Sequence, residues 1–415
     1  MKLLYTNFHS GSGGGHTTYI RELARGLSVR HDVHVAAPED SRLLREARGI
    51  PGVHAFAQTY PNGLRTLPAR RRACARLHAY LKEHRFDIVH VNGSADHRLV
   101  IAALRGLRPR PLVVLTKHNT KPMRGLQHVW RARAGTDKVI AVCEFVRRQL
   151  SHTPYRRCQP ETVYNGVDTA FFSPAEADHR TDGRQLWIGS NAGTADYKGW
   201  TDLVTALALL APDERERIQV VIAGHPPSAA QRQMLARSGL QDRFHFPGLL
   251  VDVRPVIAGL DAGFVLSHDI ETISFACREM MAMGKPVMVT DYAGLPENIR
   301  PGTDGWIVPV HGHAAMAAAL RDMLSDREEV LRRGRAARDR AIAEFGIGTF
   351  LDHTEAVYAR LLQGAPAPDS ERGPDRDLAS TDRHSGEAGH ARRRPVRAPD
   401  MPASPQPVAG PPRIG

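Results

Sequence analysis

The densest set of residues able to do chemistry is the run from Glu271 to Val287, Glu-Thr-Ile-Ser-Phe-Ala-Cys-Arg-Glu-Met-Met-Ala-Met-Gly-Lys-Pro-Val. Glu271 falls in a loop after an apolar strand ending near Leu266, and a helix is expected from about Ser274. A helix start carries unpaired backbone N–H groups and the positive end of the helix dipole. The main chain of Thr272, Ile273 and Ser274 is therefore placed to hold a pyrophosphate without a metal ion. Glu279 lies about one and a half turns further in, where an acceptor-only carboxylate can take both hydroxyls of a ribose. By residue type alone, a helix-dipole partner and a surface acid are the better explanation of the two glutamates.

Three other positions carry chemistry. Gly11-Ser-Gly-Gly-Gly15-His16 follows the first strand and opens a helix, so bare backbone at Gly14 and Gly15 can approach a phosphate or a sugar closely; a mere tight turn is the alternative. The run is not G-x-G-x-x-G, and no dinucleotide cofactor is expected. His118 ends a strand in Thr116-Lys-His-Asn-Thr120, either as a structural histidine or as a cleft residue. Lys198, in Asp196-Tyr-Lys-Gly-Trp200, opens a helix and is a suitable point charge for a diphosphate.

The elements that must position these residues fall into two series. Leu3–Phe8, His31–Ala37, Asp87–Val91, Leu112–His118 and Lys138–Val142 read as near-continuous apolar strands separated by helices, including one at about His16–Val29 and an Arg-rich one near Arg65–His84. A second series runs through Gln185–Gly189, Gln219–Ala223, Arg243–Phe246, Ala262–Leu266 and Pro286–Thr290. Each series implies a parallel sheet covered on both faces, so the fold class is α/β, with two doubly wound Rossmann-like domains and a ligand cleft between the carboxyl ends of their strands. The expected domains are residues 1–168 and 185–346, joined by a linker at 169–184, with a last helix at about 347–364 (its clearest pattern Thr349–Leu362) packing back on the first domain. Residues 365–415 hold ten prolines, no Phe, Tyr or Trp and an Arg392-Arg393-Arg394 run; this tail reads as disordered.

Charge divides the chain in the same way. Residues 1–168 carry 28 Lys/Arg against 12 Asp/Glu, a balance of +16, while 169–364 carry 20 against 25. The first domain is expected to meet something anionic, with Arg65, Arg70, Arg71, Arg72 and Arg76 at a spacing that clusters several on one helical surface and Arg105, Arg108 and Arg110 as a second group. An Arg-rich genome scattering solvated charges is the plainer reading. No apolar run is long enough to span a bilayer, and Met1-Lys-Leu-Leu-Tyr-Thr-Asn turns polar too soon for a signal peptide, so a cytoplasmic location is expected. Cys74, Cys143, Cys158 and Cys277 lie far apart, which suits reduced thiols and argues against a cysteine zinc site.

The Glu271-to-Glu279 segment, with its Gly-Lys-Pro-Val continuation, resembles the Glu-x7-Glu motif of retaining, GT-B-fold glycosyltransferases of family 4. Three further stretches are similar to that family in the same order. Asp137-Lys-Val-Ile-Ala-Val-Cys-Glu144 resembles its serine-glutamate corner, with Cys143 in place of serine. Asn165-Gly-Val-Asp168 before Phe171-Phe-Ser-Pro174 resembles its domain junction. Asp291-Tyr-Ala-Gly-Leu-Pro-Glu297 resembles its glycine-proline-glutamate loop. The resemblance covers roughly residues 1–364 and implies that Glu271 lies by the transferred sugar, that Glu279 holds the nucleotide ribose, that His118 contacts the donor sugar, and that the glycine loop faces donor and acceptor. Where the family usually has an arginine five residues before the lysine, Gly193 stands here. Asn191 and Thr194 bring no charge, so another arginine, such as Arg278 or Arg254, is needed at the phosphates unless leaving-group stabilisation is weaker.

The resemblance implies transfer of a sugar from a nucleotide-sugar, UDP-linked, to a glycan or lipid-linked acceptor with retained anomeric configuration. No Asp-x-Asp stands where a metal-bound diphosphate would need it, so no metal and no cofactor are expected. The +16 domain and the absent span together point to an anionic membrane surface as partner, at the inner face of the cytoplasmic membrane, in assembly of lipopolysaccharide or a similar envelope glycan. Two rivals are a UDP-sugar 2-epimerase of the same architecture and a basic nucleic-acid-binding protein. No helix-turn-helix, zinc finger or aromatic-interleaved basic strand supports the latter, and no nucleic-acid partner is expected.

Overall fold

The computed structural model describes residues 1–11, 14–174 and 185–364. The tail at 365–415 and the linker positions 175–184 lie outside the described residues.

Two sheets are formed, both parallel throughout. The first contains β1 (Lys2–Thr6), β2 (Asp32–Ala37), β3 (Val53–Ala57), β4 (Ile88–Val91), β5 (Leu112–Lys117), β6 (Lys138–Ala141) and β7 (Glu161–Thr162), in the order β3-β2-β1-β4-β5-β6-β7. The second contains β8 (Leu186–Ser190), β9 (Ile218–Ala223), β10 (Phe244–Gly248), β11 (Ala262–Val265), β12 (Val287–Thr290) and β13 (Gly305–Val308), in the order β10-β9-β8-β11-β12-β13. Central strands such as β4 and β11 are buried at every residue, because helices cover both faces and leave no solvated side to alternate toward.

The helix Gly15–Leu27 shows how the covering is achieved. Tyr19, Ile20, Leu23, Ala24 and Leu27 recur at helical spacing and bury one stripe against β1 and β2. The same apolar cluster takes Phe350, Val357 and Tyr358 from the last helix, Ile347–Gln363. That helix is tied down by a Tyr358 hydroxyl 2.5 Å from His90 Nδ1 and by Glu355 against Arg30 and His31. The chain returns beside its own outward crossing: the Val167 N–H donates to the Phe345 carbonyl at 2.8 Å, and Val167 pairs with Gly346.

Each sheet has one switch point, between β1 and β4 and between β8 and β11, where loops at the carboxyl ends part and leave a crevice. The glycine loop follows β1, and Asn92 follows β4. Asn191 follows β8, and Glu271 lies beyond β11. Three of the four cysteines, Cys143, Cys158 and Cys277, are buried free thiols. Among the described residues no helix is long and apolar enough to cross a membrane.

Candidate active site

The loop after β11 is folded to present one carboxylate. The Glu271 N–H donates to the Asp269 carbonyl at 2.6 Å, and Ile270 between them takes φ +62°, a conformation costly for a β-branched residue. The turn brings Glu271 Oε2 to 2.5 Å from Lys198 Nζ. Lys198 ends a short 3-10 turn closed by Gly199 at φ +67°, where a Cβ would fall 2.0 Å from the Leu266 carbonyl oxygen. Glycine is therefore required for that turn to rest on the end of β11. With side chains only 15% and 14% exposed, the pair is shielded enough to hold its geometry, unlike a solvated surface pair.

Glu279 sits in the following helix, Phe275–Ala282, and its Oε2 accepts from Asn191 Nδ2 at 2.5 Å. Burial pushes the Glu279 carboxyl up to about 7, against the opposing pull of the Asn191 hydrogen bond and the Arg21 charge. Ser274 caps this helix through its hydroxyl, Ile273 packs into the first sheet's core, and the Thr272 hydroxyl donates to the His118 carbonyl at 2.9 Å. Residues of the motif loop thus dock directly on the opposite wall.

That wall is built from imidazoles. His118 Nε2 lies 2.9 Å from Asn92 Oδ1. The Asn92 amide nitrogen points at the Thr6 and His90 carbonyls, so Oδ1 accepts and His118 carries its proton on Nε2. The His118 ring packs on His16, centroids 4.2 Å apart, and edge-on against Tyr19. Burial, followed by the neighbouring His16, His90, His9 and Lys117, holds His118 well below the usual histidine range, and burial sets His16 at about 4. These imidazoles are uncharged at neutral pH. Gly15 touches the far side too: a Cβ there would lie 3.5 Å from the Phe275 ring, while the space above Gly14 is open.

Two cavities flank this meeting point. One of about 740 Å³ runs along Asn191–Lys198 and includes Gly224, His225 and Gln231. One of about 400 Å³ on the first sheet's side is lined by Phe8, His9, His16, Asn92 and His118. The structure pairs Glu271 with Lys198, Thr272 with His118, and Gly15 with the helix start.

Neither candidate substitute for the missing arginine reaches the Asn191–Lys198 cavity. Arg278 is fully buried, with Nε on Asn298 Oδ1 at 2.9 Å, a second nitrogen on the Asn165 carbonyl, and its plane 4.0 Å from the Phe345 ring. Arg254 forks onto Asp252 and stacks 3.9 Å from the Phe171 ring. Gly193 itself takes φ +90° beside Gly224, whose Cβ would fall 2.5 Å from the Gly193 Cα, so two backbones meet where a side chain was expected. The Thr194 hydroxyl is spent on the His225 carbonyl. Among the described residues, the side chains lining this cavity that can carry a positive charge are Lys198 and His225.

One residue acts across the cleft without any local sign of it. Glu297 accepts from the Glu144 and Phe145 N–H groups at 2.7 and 2.6 Å and from the Tyr164 hydroxyl at 3.0 Å. It thereby caps the helix Glu144–Ser151, whose own N-cap, Cys143, supplies no side-chain bond. The usable signal was the pairing of an N-cap thiol with an acid in a distant Gly-Leu-Pro-Glu loop.

Models of two glycosyltransferase families match the two halves: Glycosyltransferase Family 4 over residues 13–171 and Glycosyl transferases group 1 over residues 184–326. The chain belongs to the family 4, group 1 glycosyltransferases. It is similar to the D-inositol 3-phosphate glycosyltransferase of Streptomyces avermitilis, 27% identical over 400 residues, with 85% of this chain and 84% of that protein covered. The alpha-maltose-1-phosphate synthase of Mycolicibacterium smegmatis is 26% identical over 290 residues, covering 60% of this chain and 73% of the relative. Among solved structures, the Anabaena protein HepE in complex with UDP and glucose superposes with a TM-score of 0.71 at 17% identity, covering 86% of this chain and 99% of that one. That likeness shows the GT-B fold. In this glycosyltransferase the motif glutamates and the glycine loop flank the crevice that the fold leaves open.

Proposed function

We propose that this glycosyltransferase moves a hexose-type sugar from a UDP-linked donor to a hydroxyl of a glycan or lipid-linked acceptor, retaining the anomeric configuration. The observation that carries the reading is the shielded Lys198–Glu271 pair beside Glu279 and a helix start, set against an uncharged His118. The donor diphosphate lies along the Asn191–Lys198 cavity and takes over Lys198 from Glu271. As the sugar–oxygen bond breaks, negative charge grows on the diphosphate, and Lys198 with the backbone N–H groups around Thr272, Ile273 and Ser274 stabilises it from fixed positions. Glu279 accepts from the ribose hydroxyls. Glu271, freed from its cation, faces the oxocarbenium-like sugar, and His118 fixes the sugar from the other wall. Gly14 and Gly15 give backbone access to donor and acceptor. The leaving phosphate serves as base, no divalent cation is needed, and closure of the two walls excludes water.

HepE is a UDP-bound protein of the same fold, which supports the choice of donor base. Arg65, Arg70, Arg71 and Arg72 are exposed and, among the described residues, form no ion pair, which supports docking on an anionic cytoplasmic leaflet and an acceptor used in envelope glycan assembly. The deciding experiment incubates the protein with UDP- and GDP-sugars, with and without lipid-linked acceptors, and resolves products by mass spectrometry and anomeric NMR. Interconversion of the donor without acceptor would instead establish an epimerase. Co-sedimentation with anionic vesicles, lost with salt and on Arg70–Arg72→Ser, tests the docking; indifference to such vesicles points to a soluble acceptor.

A further inference from the structure

We propose that Asp32, His34 and His54 bind one divalent transition-metal ion of the zinc class, at the end of the first sheet remote from the catalytic cleft. Strand geometry brings the three together. Asp32 opens β2, and His34, two residues on, projects from the same face. His54 on β3 is the direct register partner of His34, so it shares that face as well.

The donor atoms fit the size of such an ion. All three lie within 4.8 Å of one another. Asp32 Oδ1 is 3.0 Å from His34 Nε2 and 3.5 Å from His54 Nε2. A tetrahedral site with bonds of about 2.0–2.1 Å has ligand–ligand edges of about 3.3–3.4 Å, between these two separations.

His34 is the stronger sign. It is 2% exposed, and its Nε2 has no hydrogen-bond partner although a carboxylate oxygen stands 3.0 Å away. The two atoms approach closely but out of hydrogen-bonding alignment, as they would if each faced a third body. The other ring nitrogen, Nδ1, is 2.5 Å from the Tyr80 hydroxyl, the outer contact that orients a metal-bound imidazole. Lys2 Nζ holds Asp32 Oδ2 at 3.0 Å, which leaves Oδ1 as the single coordinating oxygen. Asp32 and His54 are solvent-exposed, so water can complete the shell. Two imidazoles and one carboxylate favour zinc, cobalt and nickel over magnesium and calcium.

A metal here ties the starts of β2 and β3 together. The cleft lies at the opposite ends of the strands, so loading stabilises the fold and leaves turnover alone. The test uses the full chain stripped with EDTA, titrated with Co²⁺ by visible absorption and with Zn²⁺ by calorimetry and thermal melting. One ion per chain, displacement of cobalt by zinc, a raised Tm, and no response to Mg²⁺ are expected. His54→Ala, at an exposed position, should melt like the wild type in EDTA yet bind at least ~10-fold more weakly, and Tyr80→Phe should weaken binding ~10-fold. His313→Ala, which disrupts the separate His311–Asp202–His313 cluster, should change nothing. Absence of saturable binding, equal binding of Mg²⁺, full affinity in His54→Ala, or loss in His313→Ala would each overturn the assignment.

Discussion

The two walls of the cleft solve opposite electrostatic problems. The second-sheet wall keeps ionic groups at the reaction: Lys198 against Glu271, and Glu279 buried to a carboxyl value of about 7. The first-sheet wall keeps its imidazoles neutral, with His16 at about 4 and His118 well below the usual range. In the proposed reaction, charge that develops on a leaving diphosphate is met by Lys198 on the second wall. In that proposed reaction the first wall supplies shape and a neutral imidazole, its Nε2–H held by Asn92, which faces a neutral sugar without adding a charge that would have to be desolvated.

The comparison is broken most directly at Lys198. Lys198→Ala should lower kcat about 10²–10³-fold, as loss of one preorganised donor does, with UDP affinity falling less; equal kcat would remove the charge work from this wall. Glu271→Ala and His118→Ala should each cost about a hundredfold in turnover and leave UDP binding nearly intact, read by steady-state kinetics beside calorimetry. Full turnover in either clears that residue.

Glu279→Ala should weaken UDP binding by about 1.5–3 kcal/mol, the range for hydrogen bonds to a charged group. Because ribose hydroxyls need the ionised carboxylate, wild-type affinity should fall as pH drops from 8 to 6, and Glu279→Gln should flatten that profile. A pH-independent wild-type Kd would contradict the ribose role.

A further effect, on stability rather than on catalysis, is spread over the neutral histidines. Their folded values, about 4 for His16 and about 3 for His90 and His97, lie below the unfolded value of 6.5. Between those values the unfolded chain binds more protons, so stability is lost as pH falls below 6.5. Each such histidine removes about 2 kcal/mol by pH 5. Thermal melts at pH 7.5 and 5 should show a large drop; an unchanged Tm would mean the imidazoles are not kept neutral.

Much of this was legible in the sequence. Buried strands such as β4 and β11 announce themselves as unbroken apolar runs, and Glu271 and Lys198 fall on the loops that the second sheet's switch point opens, with Glu279 in the helix that follows. Three strands escape the periodicity: β3, β7 and β13. All are sheet edges, paired on one side only, and Glu161–Thr162 is two residues long. That omission hides a partnership, since His54 meets His34 only through the register of β3. The pairing of Glu297 is hard to read for a related reason: its partners, the Glu144 and Phe145 N–H groups, lie about 150 residues away and are marked only by the weak N-cap at Cys143. Arg278 and Arg254 mislead because residue type reveals a charge but not the carbonyl, ring or carboxylate that consumes it.

The return of the last helix sets a timetable for synthesis. Phe350, Val357 and Tyr358 complete a cluster begun by Leu3 and Tyr5, so the first half leaves the ribosome with an unfilled apolar groove. From Thr162 to Gln363, at 5–20 residues per second, that groove waits about 10–40 s while the second half is made and folds. The half translated first is finished last, and its apolar groove stays open to solvent during that interval.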